Sequence, residues 1–351
     1  MTRTVTVQVP GRVCLVGEHS DWLAGMGGGG CGYAVCAATN ESIECRATSA
    51  PAALPTLTLT SCMTAEVYSG AIDRARFLAA AKSSSFYAYQ LGVMATRLFD
   101  LLPAQTSLTL DNVAMTLPLK KGLSSSAAIC VLTVRAVNLL FALGLGVEEE
   151  MDLAYLGERN TASLCGRMDQ CVAALAPGDA ALLEFSPHGT VRVTRIEPVP
   201  RPVYVLVADL NGKKDTVSIL ASLQAGARAH ANVRALFGPK SEALCGKFVA
   251  ALKVGDALEL NALYARAQAD FDAVAAPLCP AELGAPLLHK ALEAGRAVGA
   301  FGKLVGAGGD GTAQFVCASQ RDRETLKRAL ANAGFRSWDL TLAATRRAPG
   351  L

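Results

Sequence analysis

Residues 118–141 read PLKKGLSSSAAICVLTVRAVNLLF, a glycine turn and three serines followed by a long apolar segment. The segment predicts a helix of about five turns that opens at the serines and ends at Ala142. Ser124, Ser125 and Ser126 therefore stand where a core helix begins. Two readings are open. Serine oxygens cap a first helical turn by accepting bonds from its orphan N–H groups. Alternatively, a glycine turn running into a helix start aims several backbone N–H groups and the positive end of the dipole at one point, which makes an anion site.

Working outward, residues 4–9 and 13–16 read as two strands by alternation, the second ending at Gly17. A glycine-rich loop covers 25–32, and residues 33–75 have the Thr, Val and Ser content of several antiparallel strands. A helix is expected over 86–102, and a hairpin formed by 107–110 and 113–117. Another helix is expected over 148–160, with strands at 180–185, 191–196 and 204–209, then Ala-rich helices and a last strand pair at 301–305 and 312–318. Strands and helices mix without steady alternation, so the class is α+β and not a doubly wound sheet. The proline-rich stretch PVPRP, 198–202, reads as a linker, which gives lobes of 1–198 and 199–351.

A chain of 351 residues exceeds the usual size of one core, in keeping with two lobes. With 51% apolar and 18% charged residues it buries a core readily, and a net charge of +3 without a basic stripe argues against a nucleic-acid partner. The longest apolar run, 127–147, carries Arg135 and Asn138, so it reads as a buried helix and not a membrane span. Eleven cysteines show no CxxC pair or metal spacing, and the N-terminus has no targeting pattern, so a cytoplasmic enzyme with reduced thiols is expected. The partner is a small molecule.

Two glycine patterns resemble the dinucleotide fingerprint. In GAGGDG, Gly306, Gly308 and Gly311 have the spacing, but TAQFVCAS follows and is strand-like, whereas the fingerprint needs a helix to bind the pyrophosphate. A tight hairpin whose glycines supply positive φ is the other reading. Gly27, Gly29 and Gly32 lack a following helix as well. PLKKGLSSSAA does not have the Walker A order, so this is not a P-loop NTPase.

Three segments, in order, resemble the three motifs of the GHMP small-molecule kinases, a family that includes galactokinase, homoserine kinase, mevalonate kinase and phosphomevalonate kinase. They are PGRVCLVGEHSDWLAG (10–25), closest to the galactokinase form, PLKKGLSSSAA (118–128) and KLVGAGGDGTAQF (303–315). The resemblance implies a two-lobed GHMP kinase fold with a ribosomal S5 domain 2-like N-terminal lobe, a left-handed β-α-β crossover and a ferredoxin-like α+β C-terminal lobe. It implies ATP and Mg²⁺, with Lys121, Gly122, Leu123, Ser124, Ser125, Ser126 and Ala127 forming the phosphate cradle and Ser125 or Ser126 nearest the metal. It also implies that Gly306, Ala307, Gly308, Gly309 and Asp310 form the third motif.

Phosphoryl transfer requires positioning, charge neutralisation, a metal and often a base for the attacking hydroxyl. In the segment GERNTASLCGRMDQ the resemblance makes Glu158 a metal ligand beside Ser126 and Asp169 the base, with Arg12 as the cation that pairs with it. The eleven-residue gap between Glu158 and Asp169 is nearer the mevalonate kinase form. Glu18, His19 and Asp21 match galactokinase residues that bond sugar hydroxyls, whereas mevalonate-type members have an apolar residue where Asp21 stands. The implied reaction is phosphorylation of a monosaccharide, most simply on its anomeric C1 hydroxyl. Alternatives are a kinase for a sugar phosphate or a mevalonate-like alcohol, or a non-catalytic galactokinase-like sugar sensor. Trp22 either stacks on substrate or packs in the core, and Asp209, Lys213 and Lys214 either line the sugar or phosphate site or, as exposed lysines more often do, form a solvated turn. Nothing in the sequence sets the oligomeric state.

Overall fold

A computed structural model describes residues 2–26, 30–119, 121–163, 165–197 and 201–342. Its first half runs β1 (Arg3–Val16), α1 (Ser20–Ala24), β2 (Gly32–Pro51), β3 (Thr56–Ser61), β4 (Tyr68–Ala71), α2 (Arg74–Ala81), α3 (Ala88–Met94), β5 (Thr106–Met115), α4 (Ser125–Phe141) and α5 (Val147–Arg159). There follow β6 (Ala180–Phe185), β7 (Val191–Arg195), β8 (Val203–Asp209), α6 (Thr216–Ala229), α7 (Ala231–Ala235), α8 (Ser241–Val254) and α9 (Ala257–Val274). The chain closes with α10 (Pro280–Leu283), α11 (Pro286–Arg296), β9 (Gly302–Leu304), β10 (Thr312–Cys317), α12 (Gln320–Asn332) and β11 (Arg336–Leu342).

These elements gather into two compact units, one of residues 1–12 and 41–176, the other of 13–40 and 177–351. The cuts differ from the composition boundary at 198, because β1 and β2 each run from one unit into the other and β6 and β7 belong with the second. Of the linker candidate, 198–200 lie outside the described residues, as do Gly27 and Gly29.

In the first unit β5 lies between β3, parallel to it, and the second half of β2, antiparallel to it, while β4 pairs with β3. The hairpin expected inside 107–117 is instead the single strand β5. Its would-be turn residues are held within the sheet: Asp111 accepts the Thr60 hydroxyl at 2.7 Å, Asn112 donates to Gln90, and β2 absorbs the irregularity with a bulge between Glu44 and Cys45. The strands of 33–75 pair antiparallel as expected, β2 with β5 and β3 with β4, and β3 also lies parallel to β5, with helices between.

The helix expected over 86–102 is interrupted at Thr96, whose hydroxyl accepts Leu98 N–H at 3.2 Å and so caps a separate 3₁₀ turn, Arg97–Leu101. Helix α5 crosses α3 at backbone contact. A Cβ on Gly157 would lie 2.6 Å from the Val93 Cα, so only glycine fits beside Glu158.

The second unit pairs the first part of β2 with β6 and β6 with β7, and holds a separate antiparallel sheet in the order β11-β8-β10-β9. Read from β8, that is the fourth, first, third and second strand, with helices after the first and third, the ferredoxin-like arrangement expected for the C-terminal lobe. Local sequence sets its helix starts: Asp215 caps α6 through Val217 and Ser218 N–H, Asp256 caps α9, and Ser319 caps α12. The helices close over a core that includes Leu206, Leu223, Phe315 and Leu326. No helix among the described residues is long and apolar enough to cross a membrane.

Candidate active site

The serine loop joins β5 to α4 in the first unit. Gly122 has φ +75° and Ser124 φ +57°, so two left-handed residues turn the chain sharply into the helix. The Arg12 N–H donates to the Leu123 carbonyl at 3.0 Å, which ties the loop to β1. The Ser124 carbonyl accepts Ala128 N–H at 2.9 Å and closes the first turn, but its side chain makes no cap. Its hydroxyl is buried with no partner among the described residues. Of the two readings of the serines, capping by Ser124 is thus not the one observed. The first N–H groups of α4 have no intrahelical acceptor and are available to an anion. Lys121 and the buried Ala127 border this loop, and Lys120 lies outside the described residues.

Within the first turn of α4, the Ser126 hydroxyl bonds Glu158, which α5 delivers at its C-terminal end. Glu158 is 1% exposed and accepts further bonds from Gln170 Nε2 at 2.9 Å and the Ser163 hydroxyl at 3.3 Å. Burial, then the charge of Asp169, push its carboxyl up to about 7, against the pull of those hydrogen bonds. Asp169 begins the 3₁₀ turn Asp169–Ala174 and forms an ion pair with the buried Arg12. A second buried pair fixes that turn: Arg135 of α4 bonds Glu150 of α5 at 2.8 and 3.0 Å and the Ala173 carbonyl at 2.5 Å. Asn138 also bonds Glu150, at 2.9 Å. The first unit therefore brings together Arg12, the serine loop, Glu158 and Asp169.

Glu18, His19, Asp21 and the third motif belong to the second unit. Glu18 receives the Lys303 ammonium at 2.5 Å, and Lys303 also bonds its own strand at the Leu304 carbonyl, 2.8 Å. His19 is 5% exposed and left-handed, with φ +72°. Its Nδ1 accepts the Trp22 indole N–H at 3.1 Å, while Nε2 is buried without a partner among the described residues. Burial, followed by the charges of Lys303 and Lys214, lowers its pKa to about 3, so the ring is neutral near pH 7. Trp22 packs edge-on against Phe237 as well, in an aromatic cluster with His19 and Phe271. Asp21 lies half-buried in the first turn of α1.

GAGGDG is the turn between antiparallel β9 and β10, so the hairpin reading holds and the dinucleotide reading does not. Gly306, Gly308 and Gly309 all have positive φ, and Ala307 lies between them. Asp310 accepts Leu288 N–H at 2.9 Å and caps α11 from outside. Lys214 corrects the reading of a solvated turn. Its Nζ donates to the Gly308 carbonyl at 3.1 Å, and burial lowers its pKa. Lys213 remains exposed.

Sequence reasoning did not single out Lys303, Gln170, Ser163 or Arg135. For Lys303 the signal was present, since a lone lysine between apolar residues in FGKLV has to find a counter-charge when its strand is buried.

Residues 87–176 match the family described as GHMP kinases N terminal domain. No curated protein sequence matches the chain. Among solved structures, mevalonate kinase from L. major in complex with R-mevalonate is 19% identical with a TM-score of 0.71, covering 99% of this chain and 98% of that one. Lactococcus lactis galactokinase complexed with galactose is 17% identical with a TM-score of 0.70, covering 96% and 92%. Streptococcus pneumoniae phosphomevalonate kinase in complex with phosphomevalonate and AMPPNP is 18% identical with a TM-score of 0.70, covering 96% and 99%.

Proposed function

We infer, from a chain whose residues 87–176 match the GHMP kinases N terminal domain, a phosphotransferase of that family that moves the terminal phosphoryl group of ATP to a hydroxyl of a monosaccharide or sugar derivative, most simply the anomeric C1 hydroxyl. The observation that carries this reading is the run of contacts at one helix entrance: Ser126 to Glu158, Glu158 beside Asp169, and Asp169 to Arg12.

In this reading the loop of residues 121–127 grips the phosphates through backbone N–H groups and the start of α4. The orphaned Ser124 hydroxyl donates to a phosphate oxygen. Asp169 accepts the proton of the attacking hydroxyl, while Arg12 pairs with its carboxylate and faces the growing charge on the transferred group. Ser126 and Glu158 suit Mg²⁺, an ion that keeps several waters and takes one or two protein oxygens. When bound there, Mg²⁺ supplies positive charge to the phosphate oxygens. Glu18, His19 and Asp21 orient the acceptor, and Lys303 and Leu304, at the start of the third motif, line the same cavity as Glu18 and His19.

The test is a screen of monosaccharides, sugar phosphates and mevalonate with Mg-ATP, using the wild-type protein and Asp169→Ala. Turnover of a sugar that the variant loses supports the reading. Turnover confined to mevalonate, binding of sugar without phosphorylation, or a variant as active as the wild type overturns it.

A further inference from the structure

The second unit holds a cavity of about 140 Å³ whose wall includes Glu18 and His19. Two helices supply much of the remainder. Lys240 just precedes α8, with Leu244 and Lys247 each about one turn further on, and Leu263, Arg266 and Asp270 recur at the same spacing along α9. Positions three and four apart share a helix face, so Lys240, Lys247 and Arg266 all border one hollow.

The charges on this wall do not balance. Each of its carboxylates has a cation of its own: Lys303 stands 2.5 Å from Glu18, and Arg266 Nε is 3.9 Å from Asp270. Lys240 and Lys247 have no anionic partner among the described residues. His19 adds a neutral donor. Since Nδ1 accepts from Trp22, the ring proton sits on Nε2, which is buried and unpartnered. The groups left unmatched are thus two ammoniums and an imidazole N–H, beside apolar surface from Leu236, Phe237 and Phe271 that reduces competition from water.

We propose that this cavity binds an anionic substituent, a carboxylate or a phosphate, on the acceptor alcohol, so that the substrate class is a sugar acid or sugar phosphate. This rests on the kinase reading for the roles of Glu18 and His19. The anion lies against Lys240 and Lys247, and the polyol body reaches the His19 N–H. Each lysine acts through a charge-assisted hydrogen bond, a class of contact that confers about tenfold in affinity.

The experiment is calorimetric titration of the full chain with matched probes: galactose, galacturonate and galactose 6-phosphate, then glucose, glucuronate and glucose 6-phosphate. An anionic probe is expected to bind at least about tenfold more tightly than its neutral counterpart. Lys240→Gln and Lys247→Gln should each remove about tenfold of that, leaving the neutral probe and the melting temperature unchanged, since both side chains are exposed. Preference for the uronate or the 6-phosphate identifies which anion is read. Equal binding of neutral and anionic probes, no binding of any anionic probe, or equal loss of both kinds in the variants overturns the proposal. Tight binding of an acid without phosphoryl transfer from ATP keeps this inference and removes the kinase reading. Turnover of a neutral sugar, indifferent to both lysines, does the reverse.

Discussion

Glu158 of the first unit and Glu18 of the second are both buried, yet the groups around them differ in charge. Glu158 takes hydrogen bonds from Ser126, Ser163 and Gln170, all neutral, and has Asp169 as its charged neighbour. Glu18 is met by the ammonium of Lys303. Neutral donors orient a carboxylate without balancing it, so burial prevails at Glu158 and its affinity for a proton rises to about 7. The contrast separates the two: Glu158 is held by neutral donors beside a second carboxylate, while Glu18 already has a counter-cation in Lys303.

The largest effect expected from breaking this contrast is at Asp169. Asp169→Asn should lower kcat roughly 10³-fold, about 4 kcal/mol, with acceptor affinity little changed, as steady-state kinetics will read. Next is Lys303→Met, which strands the Glu18 carboxylate in the core and should cost about 3 kcal/mol in urea unfolding. Adding Glu18→Gln should restore most of that loss, and additive losses would show that the pair is not coupled.

Titration offers a test of similar size with two opposite signs. The Glu158 pKa is raised, so the folded state holds more protons than the unfolded one between pH 4.5 and about 7. Stability then falls across that window by up to about 3 kcal/mol as pH rises. The His19 pKa is lowered, so its contribution is complete above pH 6.5 and is lost as pH falls towards 3. Unfolding curves of Glu158→Gln should lack the fall above pH 4.5, and those of His19→Asn the loss below pH 6.5. A smaller effect, about tenfold, is expected in the Mg²⁺ concentration for half-maximal activity of Glu158→Gln. Glu18→Gln should leave that concentration unchanged while raising the acceptor KM.

Much of this was legible in the sequence because it is local. The glycine–serine turn before α4 and the strand that follows GAGGDG are each set by a few neighbouring residues. Contacts distant in sequence were legible only through resemblance, as with Arg12 and Asp169, which are 157 residues apart. Where neither applied, the reading failed for a physical reason. Asp111 and Asn112 have turn chemistry, but sheet partners on both sides of β5 satisfy them in extended form. Lys213 and Lys214 look alike in sequence, and only the bare backbone of the glycine turn decides that the second is packed and the first is not.

β1 and β2, which pass between the units at Arg12 and at Asn40, carry a consequence for biosynthesis. During translation the first unit is complete once residue 176 leaves the ribosome, whereas residues 13–40 must await partners as distant as Lys303, Gln314 and Asp339. The apolar runs at 13–16 and 34–38 are thus made well before the residues that cover them, and Glu18 and His19 lie between them. Slow or stalled synthesis therefore presents chaperones, or other nascent chains, with sticky strand segments still waiting for their partners, and neither unit can be produced as an uninterrupted fragment.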